Sequence, residues 1–349
     1  MPRLGVASFM LLFAALSCAP SALRTVPPTG MAGSLVWPSP PERPRIQFVA
    51  TIQRPRELLG PARSRSMWRE LLERMAGASA VEVFVRPSSI AAQDGVVAVA
   101  DPGAPSVWIA DQRQGRLRRI SAVGRQRLVS PVAVALGRGG RLVVADSSLS
   151  RVFVCDLRGR LQRVLQSPDM RRPAGVALDE ARRRVYVADS AAHCIWIFDD
   201  DGAVTGVIGR RGSAPGAFNF PTHVAVGPDG ALYVADTLGF RVQVFDPSGG
   251  LRSWFGRQGD ASGDFARPKG VALDPDGHLY VVDALFDAVQ IFDPSGALLL
   301  AFGRHGSDPG EFWLANGLTI DGTQIYVADS YNRRIQHFTY LGAPAAHAQ

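Results

Sequence analysis

Lysine is almost missing from this chain. Of 349 residues 38 are basic, and Lys269 is the single lysine among them. An arginine bias this complete is what a GC-rich genome produces, so the formal charge of +7 is weak evidence for an acidic partner. No basic face with interleaved aromatics accompanies it, and nucleic acid is not expected as a partner. Cysteine stands at three and histidine at six. There is no Ser-centred elbow, no phosphate loop and no paired metal-ligand spacing, so no catalytic residue, metal or cofactor is expected from a local motif. Beyond the first residues no stretch is apolar for long enough to span a bilayer. What remains is an ordinary globular composition, 46% hydrophobic and 20% charged.

The N-terminus reads as an export signal. Arg3 precedes the apolar run Leu4 to Leu16, which is too short to span a membrane. Ala15-Leu16-Ser17-Cys18 resembles a bacterial lipobox, which would make Cys18 an acylated first residue; an ordinary signal peptide is the other reading. The expected location is therefore the cell envelope or periplasm, with membrane contact through a lipid anchor at Cys18. Residues 19–45 carry seven prolines and read as a spacer, and residues 341–349 as a disordered tail. Ile46 to Ile52 is a lone strand with no partner nearby in sequence. Residues 66–75 read as a short helix that Ser66 caps, with Met67, Leu71 and Met75 on one stripe facing the body of the protein or a partner.

From residue 84 one phrase repeats. Phe220 to Gly249 (FPTHVAVGPDGALYVADTLGFRVQVFDPSG) returns 47 residues later as Arg267 to Gly296. Each copy holds four short strands separated by turn residues. An aspartate closes the second strand at Asp101, Asp146, Asp189, Asp236, Asp283 and Asp329, at intervals of 45, 43, 47, 47 and 46 residues. Its recurrence marks it as turn structure rather than as a catalytic acid. Every first strand carries small residues, as strands crowded around an axis require. The fold class is therefore all-β: a six-bladed β-propeller of four-stranded antiparallel blades. The sixth unit has only three strands, and the lone strand 46–52 supplies the fourth, closing the ring over residues 46–340. A monomer is expected.

The phrase is clearest at Ile325 to Phe338 (IYVADSYNRRIQHF), and there it resembles the NHL repeat. With the leader and spacer, the chain is similar to exported bacterial NHL-repeat proteins. That resemblance implies the propeller fold and leaves function open among RNA binders, protein-binding scaffolds, receptor-like ectodomains and a few enzymes, some with zinc held by channel histidines.

Strand alternation sorts the loops. The crossovers between blades and the loops after the repeated Asp share one face, called the top here. The crossovers repeat Gly209-Arg210, Gly256-Arg257 and Gly303-Arg304. Arg210, Arg257 and Arg304 either attract an acidic partner or bridge blades by pairing with loop carboxylates. Departures from the repeat mark a second feature. Two residues after the blade-starting Pro the sequence reads Ser89, Ala133, Gly175, His223, Gly270 and Gly317. One residue after it come Ser88, Val132, Ala174, Thr222, Lys269 and Asn316. Thr222, His223, Lys269 and Asn316 should therefore gather at the top mouth of the channel as a ligand site; a hydrated rim without specific use is the bland alternative.

The expected function is a non-catalytic scaffold that binds a protein or small ligand on this face, with a metal-assisted lyase or hydrolase near His223 as the alternative. His193 and His305 share the face at other radii, so three convergent ligands are not expected. Cys155 and Cys194 fall at opposite ends of third strands in neighbouring blades, too far apart for a disulfide.

Overall fold

The computed structural model describes residues 35–60 and 82–342. The leader with Cys18, residues 19–34 of the spacer, the helix expected over 66–75 and the tail from 343 lie outside the described residues.

Six four-stranded antiparallel blades stand in a ring. From the axis outward, blade one is Ser89–Gln93, Val96–Asp101, Ser106–Asp111 and Arg116–Ile120. Blade four is Pro221–Val226, Leu232–Asp236, Arg241–Phe245 and Leu251–Phe255. Blade five is Pro268–Leu273, Leu279–Asp283, Ala288–Phe292 and Leu298–Phe302. Blade six runs Leu318–Asp321, Gln324–Asp329 and Arg334–Tyr340, and Ile46–Ile52 pairs with its third strand from Ile46↔Tyr340 to Ile52↔Ile335. The ring closes as the sequence predicts.

The folded body starts earlier than the spacer boundary suggests. Val36–Trp37 pairs with the closing strand, Val36 against Gln47 and Trp37 against Ile46, as a fifth strand on the outer edge of blade six. Aromatic contact holds it there: the Trp37 ring lies 5.6 Å from Phe302 and 5.8 Å from Phe338. After the closing strand, Pro55–Leu59 forms one 3-10 turn that buries Leu58. Among the described residues the only helical pieces are this and two single turns, and no helix is long and apolar enough to cross a membrane.

The middle strands explain why the ring forms. Runs such as VVAVAD and RVYVAD do not alternate, because each blade is apolar on both faces. Six buried clusters follow, each filled from two adjacent blades. The last joins Tyr326, Ala328 and Ile335 of blade six to Ile90, Val97 and Val99 of blade one.

The repeated aspartates are fully buried caps. Asp146 accepts the backbone N–H of Val129, Ser130, Ser148 and Leu149, and Asp283 those of Ala266, Arg267, Leu285 and Phe286. One carboxylate thus fastens the incoming crossover to the top loop of its own blade. Cys155 and Cys194 are free and buried, and burial pushes both thiols up to about 12, so neither is nucleophilic.

Candidate functional site

The inner strands surround a central channel of about 260 Å³. Its walls are mostly Ala, Val, Leu, Ile and Gly from all six blades, with Ser89 and Thr319, and His223 is the one imidazole among them. The crowding is severe at the column where His223 sits. A Cβ on Gly175 would lie 2.4 Å from the Thr222 carbonyl, and one on Gly270 would lie 2.6 Å from that of Asn316. Side chains in this column point at the inner strand of the next blade. At the same column of blade five, Gly270 donates its N–H to the Asn316 carbonyl of blade six at 2.9 Å and leaves its own ladder, and it has no side chain to meet His223.

The neighbouring column is built by bulges. Pairing skips one residue after the blade-starting Pro, so Thr222 lies outside the ladder between Pro221↔Asp236 and His223↔Ala235. Lys269 lies in the same way between Pro268↔Asp283 and Val271↔Val281. A bulge re-aims its side chain away from the sheet, here to the channel mouth. The structure thus brings Thr222, His223, Lys269 and Asn316 to adjacent positions on blades four, five and six.

Proton accounting sets the state of His223. Thr237 Oγ1 donates to the Pro268 carbonyl at 2.8 Å. Thr222 Oγ1 must then donate to Thr237 Oγ1, at 2.6 Å. The 3.2 Å contact between Thr222 Oγ1 and His223 Nδ1 consequently has the imidazole donating. Nε2 is left without a proton, buried and without a protein partner. Burial, and after it the charge of Lys269, lowers the His223 pKa to about 3, so the ring is neutral at ordinary pH. The ring as a whole is half-buried and lines the channel. Asn316 Oδ1 is likewise buried and unpartnered. Among the described residues no carboxylate pairs with Lys269. Burial and the charges of Arg267 and Arg172 bring its pKa down to about 8.

This donor set does not suit a metal. It holds one imidazole and one amide beside an ammonium group, with no carboxylate to offset a divalent charge. His193 and His305 do not converge on it: His193 Nδ1 accepts the Phe220 N–H at 3.2 Å, and His305 Nδ1 meets Asp287 at 2.7 Å. The one group of three potential metal ligands among the described residues, Asp274, Asp276 and His278, lies in the bottom turn of blade five.

The arginine ring resolves differently from the sequence expectation. Arg257 pairs with Asp264 and Arg304 with Glu311, each at 2.8 Å. Each partner stands seven residues on in the same crossover, so these pairs brace a loop rather than bridge blades. At Arg210 that position is Ala217, and among the described residues its guanidinium has no carboxylate partner. These crossovers also carry the short bridges Arg211↔Phe218, Gln258↔Phe265 and His305↔Phe312.

One feature of the face escaped sequence reading. Two residues after the repeated Asp, blades one to three carry Gly103, Ser148 and Ala191, whereas blades four to six carry Leu238, Leu285 and Tyr331. Leu285 is 54% and Tyr331 52% exposed, and Trp313, 46% exposed, lies with its ring 5.6 Å from that of Tyr331 and tilted 46° to it. Leu238 and Leu285 each stand two residues past a strand end, Asp236 or Asp283, that pairs with the Pro before Thr222 or Lys269, and Trp313 stands three residues before Asn316. Half of the top face is therefore an apolar arc around a polar, positively charged mouth.

Fold and site together define a six-bladed propeller with a lopsided top face at one end of its channel. The chain belongs to the SMP-30/gluconolactonase/LRE-like family, whose profile matches residues 78–255, through the end of blade four. No curated protein matches the chain. Several solved structures share the fold. Virginiamycin B lyase from Staphylococcus aureus, solved as a catalytically inactive variant with quinupristin, is 14% identical over 75% of this chain and 84% of its own, with a TM-score of 0.57. A protein of unknown function from Bacteroides thetaiotaomicron is 19% identical over 74% and 70%, with a TM-score of 0.58. The nidogen/laminin complex contains a chain 23% identical over 68% and 88%, with a TM-score of 0.54. At these identities the likeness concerns the fold alone.

Proposed function

We propose that this protein is a capture propeller that binds a protein or small ligand on the top of blades four to six and performs no chemistry on it. The observation that carries the reading is the asymmetry of the top face. Six repeats of one scaffold differ most where large apolar tips replace small residues, around the one lysine and the one channel imidazole. Exposed apolar groups ringing a polar pocket are the usual make-up of a recognition site. The NHL-like phrases and the leader place it, on this reading, among exported propellers tethered by a lipid at Cys18. Growth with a radiolabelled fatty acid should label the wild-type chain and not Cys18→Ala; equal labelling of the two would remove the anchor.

Capture itself is tested by ligand-observed NMR with a fragment library against the full chain. Hits are expected to lose their signal with both the double variant His223→Ala/Lys269→Met and the double variant Trp313→Ala/Tyr331→Ala. Hits indifferent to both would place binding elsewhere. Stoichiometric zinc or calcium retained near His223 would instead favour a metal-assisted lyase or hydrolase.

A further inference from the structure

The mouth presents three groups of fixed polarity. Lys269 is a cation with no carboxylate partner among the described residues. His223 Nε2 is a hydrogen-bond acceptor, because its ring proton is committed to Thr222 through Nδ1. Asn316 offers an amide with no protein partner at Oδ1. Outside these lie Leu285, Trp313 and Tyr331. A ligand that satisfies all of them carries an anion, N–H donors close to that anion, and an apolar body directed outward. A simple carboxylate lacks the donor, and a cation is repelled by Lys269 with Arg172 and Arg267.

We infer that the channel mouth captures the free C-terminus of a peptide ending in a large apolar residue. The terminal carboxylate pairs with Lys269, and the N–H of the preceding residue donates to Asn316 Oδ1. The N–H of the last residue donates to His223 Nε2. The terminal side chain lies on the Leu285, Trp313 and Tyr331 arc. Recognition of a chain end by a charge and convergent polar groups, with an apolar pocket for the last side chain, is a recurring mode of peptide binding. Nothing in the arrangement makes or breaks a covalent bond.

The inference rests on the capture reading but is tested apart from it. Isothermal titration of the full chain would compare the pentapeptide Ala-Gly-Ser-Gly-Phe with its C-terminal amide, with N-acetylphenylalanine and with 3-phenylpropionate. The free-acid peptide should bind at least tenfold more tightly than the amide. Lys269→Met should abolish that preference and leave amide binding unchanged. His223→Ala should weaken the peptide and N-acetylphenylalanine but not 3-phenylpropionate, which has no N–H. A peptide tighter than N-acetylphenylalanine identifies a chain end rather than a free acyl amino acid, and equal affinity overturns the peptide assignment. Lys269 also reports directly, since reductive methylation with labelled formaldehyde marks no other side chain. The groups facing it are Thr222, His223, Asn316, Arg267 and Arg172, and His223 among them titrates well below the lysine. Its midpoint should rise from about 8 when the acid is bound. If acid and amide bind alike and Trp313→Ala/Tyr331→Ala removes both, capture stands and the C-terminus inference falls. If no probe binds the wild-type chain, the inference also falls, while the fragment screen decides capture independently.

Discussion

His223→Ala is expected to remove a large part of the acid sensitivity of the fold. In the unfolded chain the imidazole protonates near 6.5, whereas in the ring burial and Lys269 hold it neutral down to about 3. A depressed folded pKa contributes stability that is complete above pH 6.5 and is lost as pH falls toward 3. At pH 4 the loss from this group is about 3 kcal/mol. His337, lowered to about 4 by burial, works in the same window but is common to both proteins, so the difference isolates His223. Any packing cost of the alanine is independent of pH and also cancels. Urea unfolding of both proteins at pH 7 and pH 4 measures the effect. Equal losses on acidification would mean that His223 is not held neutral in the channel, and the acceptor role of Nε2 would go with it.

Arg334→Met is expected to cost about 3–5 kcal/mol, the range for stripping one partner from a buried pair. Arg334 is 5% exposed, and its Nε lies 2.7 Å from Asp329, which is wholly buried. The same guanidinium donates to the carbonyls of Ser307, Asp308 and Glu311 in the preceding crossover. Burial already raises the Asp329 pKa, although the Trp313 N–H, Asn332 and Arg334 oppose the shift. Removing the arginine leaves that carboxylate and three carbonyls short of donors in the blade that closes the ring. Arg304→Met is the control. That arginine also touches a carboxylate at 2.8 Å, but it is 80% exposed, and an exposed pair contributes about 0–1 kcal/mol. Urea midpoints should separate the two variants clearly. Similar losses would show that the crossover is held by its backbone contacts and not by the buried pair. Since Asp329 also accepts the Trp313 N–H at 2.9 Å, Arg334→Met should disturb the apolar arc as well.

Much of the fold is legible in the repeat because a propeller is built from local hairpins. Blade number, strand number, the capping role of the aspartates and ring closure by Ile46–Ile52 follow from spacing and strand alternation. The Val36–Trp37 strand is not visible this way. Its pairing depends on Trp37 meeting Phe302 and Phe338, residues about 270–300 positions away that no local pattern connects. The partners of Arg257 and Arg304 were readable in principle. Asp264 and Glu311 stand seven residues on, but only the folded crossover turns that interval into a contact.

The candidate site divides in the same way. The sequence by itself determined that Thr222, His223, Lys269 and Asn316 break the repeat in adjoining copies, and alternation placed them on one face. It also contained the change from Gly103, Ser148 and Ala191 to Leu238, Leu285 and Tyr331, although nothing local distinguishes those tips from ordinary loop residues. Only the tertiary structure decided what the groups are. The proton on His223 is assigned through Thr222, Thr237 and the carbonyl of Pro268, a chain that crosses from blade four to blade five. The glycine opposite the imidazole, Gly270, bonds to blade six instead of its own ladder. A repeat encodes each blade through short-range pairing, but the channel is made between blades, where the identity and charge of a group depend on what the next blade places beside it.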